Sequence, residues 1–261
     1  MTLSIDWLRE VLTVPVLTMA RLAACLVVAP FFSNQFITGT VRNGIILSLT
    51  LVVYPMVSPA FAAQVPSLPQ AAIILVKEVF LGIVIGFLSG APFWIASSVG
   101  FIVDTQRGTG MGEIFDPNLG TQTSPLGAML SQVIVTLFYV SGGLFLFLGM
   151  MFEGYRVMPI ESFFPRFIPD FPEFFLAFAD QLMRLIAILA APMVICMFLV
   201  DFSLGLVNRF APSLNVFFLS MPIKSALSLL VLVLYTATFV IFLSEDFMGM
   251  EQLRKLFFVI N

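Results

Sequence analysis

Histidine is absent from this chain of 261 residues, and cysteine occurs only at Cys25 and Cys196. Without histidine there is no Ser–His or Cys–His nucleophile pair, and two distant cysteines form no metal cluster. Both cysteines lie in apolar stretches, which favours buried free thiols over a disulfide. Asp104 and Asp201 could form an aspartyl pair, but no motif around them supports it. We therefore expect no enzyme, no catalytic residue, no metal site and no cofactor.

Charge is also scarce, since charged residues make up 10% of the chain and hydrophobic residues 60%. Soluble domains carry about 25% charged residues, and one membrane-spanning helix needs about 20 apolar residues. Charge-free runs cover residues 22–41, 43–76, 79–103, 117–152 and 225–244. The composition predicts an all-α, polytopic membrane protein with six or so helices. Residues 1–10 lack the basic start of a cleaved signal peptide, so we expect the first apolar segment to be retained.

Proline and glycine divide these runs into kinked helices and helical hairpins. Predicted helices cover residues 11–32, 44–63, 71–103, 126–152, 181–200 and 216–243. Pro15 should interrupt the first, Pro55 and Pro59 the second, and Pro92 should kink the third or divide it in two. Bends are also expected at Pro212 and Pro222. The chain is predicted to be a single domain over 1–261, with an amphipathic connection at 153–180 and a short tail at 245–261.

Six ionisable residues interrupt the apolar segments: Arg21, Lys77, Glu78, Asp201, Arg209 and Lys224. Charges in such segments are costly, and they usually face a partner or a water-filled space. An ion relay would use carboxylates or imidazoles arrayed across the membrane, and this chain has no histidine. We expect these charges to pair between helices or between subunits, with Asp201 and Arg209 pairing in the assembly.

A polar, glycine-rich loop at residues 104–125 lies between two charge-free stretches. Lipid cannot satisfy an irregular backbone, so this segment must lie in water, in a protein interior or along a cavity. It is longer than most helix connections and carries apolar side chains, which favours a pore plug over a plain connector. The residues expected in the plug are Arg107, Gly108, Gly110, Met111, Gly112, Phe115, Asp116, Pro117 and Gly120.

These motifs resemble one family, the SctT/FliR/SpaR export-apparatus proteins of type III secretion systems. The resemblance is carried by Asp104-Thr105-Gln106-Arg107-Gly108, Asp116-Pro117, Ser124-Pro125-Leu126-Gly127, residues 204–217 and Pro222. Further agreement comes from Arg21 with Ala29-Pro30, and from Leu81-Gly82-Ile83 with Gly86-Phe87. The amino-acid sequences of the loop motifs are more similar to those of the injectisome branch than to those of the flagellar branch.

The resemblance implies a non-enzymatic subunit that joins SctR-like and SctS-like proteins in a helical, pore-forming ring in the bacterial inner membrane. Unfolded secreted proteins would pass through the pore, the loop would contribute to a plug, and an SctU-like export switch protein would wrap the cytoplasmic mouth. Parts of the helices would be raised out of the bilayer. Besides these partners, membrane lipid is expected. Nucleic acid is not, since the net charge is −3.

Residue chemistry by itself leaves alternatives open. A secondary transporter for a small solute would place a site at broken helices near Pro92 and Pro192. A structural membrane scaffold would use the loop for assembly and not for closing a pore. A flagellar export subunit of the same family is a third possibility.

Overall fold

The computed structural model describes residues 5–61, 66–108, 114–116, 121–162, 171–213 and 215–248. Over these ranges the backbone is helical except for connections and one short hairpin. The helices are α1 (Ile5–Val28), a 3-10 turn (Pro30–Phe32), α2 (Gly39–Phe61), α3 (Leu68–Ser89), α4 (Ala91–Arg107), α5 (Pro125–Val140), α6 (Gly143–Val157), α7 (Phe171–Phe210) and α8 (Val216–Met248). Strands β1 (Ile114–Asp116) and β2 (Thr121–Thr123) pair antiparallel. The predicted all-α fold is confirmed, with this hairpin as the exception.

In the described part of the chain, four helical segments are long and apolar enough to cross a membrane. They are Gly39–Pro59, Leu68–Ser89, Pro172–Phe210 and Phe218–Leu243, and the broken pair α5 and α6 would make a fifth span. The polytopic prediction is confirmed. The six or so expected helices are eight in the described part of the chain, because two of the predicted helices are each divided in two.

The described chain divides into two compact units. The first contains the residues up to Ala91 together with 142–162, and the second contains residues 92–141 and 172–248. Each unit is therefore built from two separate stretches of sequence. The single domain over 1–261 stays a prediction.

Close approach of helix backbones organises the first unit, where α1 packs on α3. A Cβ atom at Gly82 would lie 2.4 Å from the carbonyl oxygen of Arg21, and one at Gly86 would lie 2.6 Å from that of Cys25. The two glycines are four residues apart and share one face of α3, which is the spacing that lets membrane helices approach closely. Both cysteines are free; Cys25 is buried in this contact, as predicted, whereas Cys196 is half-buried.

A similar contact organises the second unit, where α4 meets α5. A Cβ at Gly100 would lie 2.4 Å from the Cα atom of Gly127, and a Cβ at Gly127 would lie 2.8 Å from the carbonyl oxygen of Ser97. Further along the same helices, the rings of Phe93 and Phe138 meet edge to face, with centroids 5.5 Å apart. The start of α5 is thereby held against the second half of α4.

Several prolines have less effect than the sequence suggested. Pro15 lies inside α1, and Pro55 and Pro59 lie inside α2, so neither helix ends at its proline. Apolar helices tolerate proline where surrounding groups and small backbone adjustments satisfy the freed carbonyl. Pro222 lies in the second turn of α8 and Pro212 in the connection before that helix, and the bends expected at these two residues stay predictions.

Glycine has more effect. The helix predicted over 126–152 is two helices, because Gly142 adopts a left-handed conformation with φ of 80° between α5 and α6. The helix predicted over 71–103 is also two, separated at Gly90. Pro92 is the second residue of α4, where its missing N–H needs no helical partner.

Candidate functional site

The polar loop begins later than the sequence indicates, because α4 continues through Arg107. Gly108 follows with φ of 80°, a conformation typical of the residue that ends a helix. Phe115 and Asp116 lie in β1, where their backbones pair with Gln122 and Thr121. The predicted plug residues Gly110, Met111, Gly112, Pro117 and Gly120 lie outside the described ranges.

The two ends of the loop are joined by one carboxylate. Asp104, near the end of α4, accepts hydrogen bonds from the hydroxyl of Ser124 and, at 2.9 Å, from the backbone N–H of Leu126 in α5. Its other oxygen pairs with the guanidinium of Arg107. We call Asp104, Arg107, Ser124 and the Leu126 N–H the loop clasp. Asp104 is only 3% exposed, so these bonds form with little competition from water.

Helix termini strengthen the clasp. Asp104 places its negative charge at the N-terminus of α5, where free N–H groups and the helix dipole favour an anion. Ser124 is the N-cap of that helix and accepts a bond of 2.8 Å from the N–H of Gly127. Arg107 lies in the last turn of α4, where a cation is favoured, and its buried Nε atom has no hydrogen-bond partner among the described atoms.

The clasp adjoins α8 through the residue that follows it. A Cβ at Gly108 would lie 3.3 Å from the methyl carbon of Met221. The start of the loop is thus held against α8 as well as against α5.

The first unit contains a second group of buried charges, formed by Arg21 of α1 with Lys77 and Glu78 of α3. Arg21 binds Glu78 through two bonds of 2.7 and 3.0 Å, and the ammonium of Lys77 lies 3.0 Å from the same carboxylate. Arg21 and Glu78 are completely buried and Lys77 is 6% exposed. We call these three residues the buried charge cluster. It carries one negative and two positive charges.

Carbonyl groups at the end of α6 complete the cluster. Arg21 donates at 2.8 Å to the carbonyl oxygens of Gly154 and Met158. Its guanidinium carbon also lies 4.2 Å from the ring centre of Tyr155. A helix leaves its last carbonyls without partners in the helix and favours cations there.

Lys77 reaches the chain just beyond α6. Its ammonium donates to the carbonyl oxygens of Pro159, Ile160 and Ser162 at 3.0, 3.0 and 2.7 Å. The buried charge cluster therefore fixes the end of α6 and residues 158–162 to α1 and α3. It satisfies its charges within the chain.

The third group of predicted charges lies on α7 and α8. Asp201 of α7 pairs with Lys224 of α8, with 3.0 Å between the carboxylate and the ammonium. Arg209 lies eight residues beyond Asp201 on the same helix, about 12 Å along its axis, which is too far for an ion pair. The Arg209 side chain is exposed, and the pairing of Asp201 and Arg209 expected in the assembly stays a prediction.

Removing the Asp201–Lys224 pair should have a small effect on the isolated chain. The Asp201 side chain is 44% exposed, so we expect Lys224→Met to change the free energy of unfolding by no more than about 1 kcal/mol. Thermal unfolding of the detergent-solubilised chain would measure it. Exchanging the two charges, in Asp201→Lys with Lys224→Asp, should restore any loss. A loss of several kcal/mol would show that the pair is more deeply buried than its exposure indicates.

Sequence reasoning missed three contributors to these sites. Asp104 was considered only for an aspartyl pair and as part of a motif, and Ser124 only as part of a motif, although a serine followed by proline at the start of an apolar run is a helix N-terminus signal. Tyr155 gave no signal, because its contacts with Arg21 and with the carbonyl oxygen of Thr18 join residues far apart in sequence. No group of three or more His, Cys, Asp or Glu side chains suited to a metal occurs within the described ranges.

The fold and these sites define a polytopic helical membrane protein whose buried charges fix one loop and join its helices. Comparison with known families matches residues 12–250 to the family described as "Bacterial export proteins, family 1". The chain belongs to this family. The resemblance to export-apparatus proteins is confirmed, and with the apolar helices it makes this a multi-pass protein of the bacterial inner membrane.

Relatives of both branches match most of the chain. "Yop proteins translocation protein T" of Yersinia pestis is 42% identical over 231 residues, covering 88% of each chain. "Secretion system apparatus protein SsaT" of Salmonella typhimurium is 36% identical, covering 77% of this chain and 78% of the relative. "Flagellar biosynthetic protein FliR" of Bacillus subtilis is 26% identical, covering 92% and 93%. The higher identities to the secretion proteins favour the SctT type over the flagellar type.

Proposed function

We propose that this chain is an SctT-type subunit of a type III secretion export gate. In this proposal it forms a protein-conducting pore with SctR-like and SctS-like subunits, and the loop is part of the pore plug. An SctU-like switch protein would bind at the cytoplasmic mouth, and unfolded secreted proteins would be the cargo. Family membership supports the coarser statement that the chain is an export-apparatus protein that works with other export subunits. That it is not an enzyme remains an expectation.

The exposed length of α7 is the observation that best supports a subunit completed by other proteins. Its apolar segment Pro172–Phe210 has 39 residues, and only 28% of its most apolar window is buried within the chain. At 1.5 Å per residue it is about 58 Å long, against about 30 Å for the hydrocarbon core of a bilayer. Lipid can cover only part of this surface, and neighbouring subunits would cover the rest.

Co-expression tests the assembly. The chain would be produced with and without SctR-like and SctS-like proteins, extracted in mild detergent and weighed by native mass spectrometry. One stable hetero-oligomer that contains this chain is the expected result. A chain that stays alone under every co-expression would contradict the export-gate proposal, and small-solute binding would then test the transporter alternative.

Replacing residues 109–123 by a short glycine–serine linker tests the plug. This change keeps the loop clasp, so we expect normal assembly but a membrane that leaks ions and small solutes, since the pore would lack its constriction. Ion permeability of cells that express the assembled complex would measure it. Unchanged permeability in an intact assembly would exclude the plug and favour a connecting or scaffolding role.

A further inference from the structure

The loop clasp joins α4 and α5 at the point where the loop leaves them. Asp104 receives bonds from Ser124 and Leu126 on the α5 side and from Arg107 on the α4 side. Within each helix these residues are at most three positions apart. A single buried carboxylate therefore fixes both ends of the loop to each other.

Backbone packing reinforces this connection one turn away. The absence of side chains at Gly100 and Gly127 lets the two backbones touch, and a Cβ at Gly127 would also meet the carbonyl oxygen of Ser97. Interfaces packed this tightly do not deform gradually. Parting α4 from α5 would also remove the two hydrogen bonds that the buried Asp104 accepts from Ser124 and Leu126, and a buried charged group that loses its hydrogen-bond partners is unfavourable.

We propose that the loop clasp stays closed throughout export, so that Asp104 is a positioning residue that holds the two ends of the loop together in both the resting and the exporting pore. α4 and α5 then do not part at the clasp during export. This inference rests on the proposed function of the loop. It adds that α4 and α5 keep their relative position during export, and that Asp104, Arg107 and Ser124 hold them there.

A reversible covalent bond tests the clasp. The double variant Asp104→Cys with Ser124→Cys has two thiols in place of two side chains that are in hydrogen-bond contact. An added oxidant joins the two thiols as a disulfide and takes up the two electrons and two protons that they release. Dithiothreitol breaks the bond again. The single variants Asp104→Cys and Ser124→Cys are the controls. Each has one new thiol together with Cys25 and Cys196, so each shows whether oxidation acts through a bond to one of those two cysteines. Thr105→Ala, at an exposed neighbouring position, is the control for substitution in α4.

Ion leak and secretion would be measured on cells that express the complex. Native mass spectrometry of the complex extracted from the same cells would verify that it has assembled. In the reduced double variant we expect a leak several-fold above the parent protein, because the carboxylate is gone. After oxidation the leak should fall to the parental level while secretion continues within about twofold of the parent. Thr105→Ala should match the parent protein in both measurements.

Two results would overturn the inference. Secretion that stops on oxidation and returns on reduction would mean that the clasp must open during export. A reduced double variant as tight as the parent would mean that Asp104 does not position the loop. These failures differ from failure of the plug proposal, in which even the linker replacement of residues 109–123 leaves permeability unchanged.

Discussion

Glu78→Gln is expected to destabilise the first unit by about 3–5 kcal/mol, the cost of removing one partner from a buried ion pair. The substitution preserves size but leaves the completely buried Arg21 without a counter-charge and the nearly buried Lys77 with only the exposed Glu161 as an anionic neighbour. Carbonyl groups of residues 154–162 would still accept hydrogen bonds from both cations, but they carry no full charge. Thermal unfolding of the detergent-purified chain should show an apparent Tm lowered by roughly 10 °C.

Two further variants show whether charge is the cause. Glu173→Gln makes the same chemical change at an exposed position of α7 and should leave the Tm unchanged. Replacing the whole cluster, in Arg21→Met with Lys77→Met and Glu78→Leu, should recover part of the lost stability, because apolar groups often substitute for a buried ion pair. The recovery stays partial because the carbonyl oxygens of residues 154–162 lose the donors that Arg21 and Lys77 supply. A Glu78→Gln protein as stable as the parent would contradict the buried charge cluster described above.

Gly100→Ala is expected to have the second large effect, through the contact between α4 and α5. The new methyl group would lie 2.4 Å from the backbone of Gly127, where no side chain can move aside. Helix propensity favours alanine by up to about 1 kcal/mol, but overpacking typically costs about 1–3 kcal/mol and more against rigid atoms. We therefore expect net destabilisation, with the clasp one turn away disturbed as well.

Gly205→Ala is the matched control. Gly205 lies inside α7, in the same unit, and a Cβ there would meet no atom within 4 Å. The isolated chain should become slightly more stable, because alanine is the better helix former and nothing opposes it. Opposite signs for the two substitutions, measured by thermal unfolding, would verify the contact. Stabilisation by Gly100→Ala would show that α4 and α5 are not in backbone contact.

The membrane class and the approximate helix positions could be predicted because they depend on local composition. An apolar run of about 20 residues favours a helix in lipid whatever its neighbours are. The family, too, could be identified from residues 104–108, 124–127 and 204–217. The loop was found because its polar residues interrupt such runs.

The breaks in the helices could not be predicted in the same way. Proline was expected to interrupt α1 and α2 and does not, whereas Gly142 divides a run that reads as one helix. Whether such a residue ends a helix depends on which groups from elsewhere in the chain satisfy the freed backbone and which face is packed.

The sequence by itself determined that this chain is a polytopic helical membrane protein of an export family, with ionisable residues in apolar helices and one polar loop. The tertiary structure decided the partners of those residues. Glu78 binds Arg21 from another helix, Asp201 binds Lys224 from α8, and Asp104 joins the two ends of the loop. Hydropathy and motifs are properties of neighbouring residues, whereas an ion pair or a backbone contact depends on how distant segments pack, and that packing is fixed only when the chain folds.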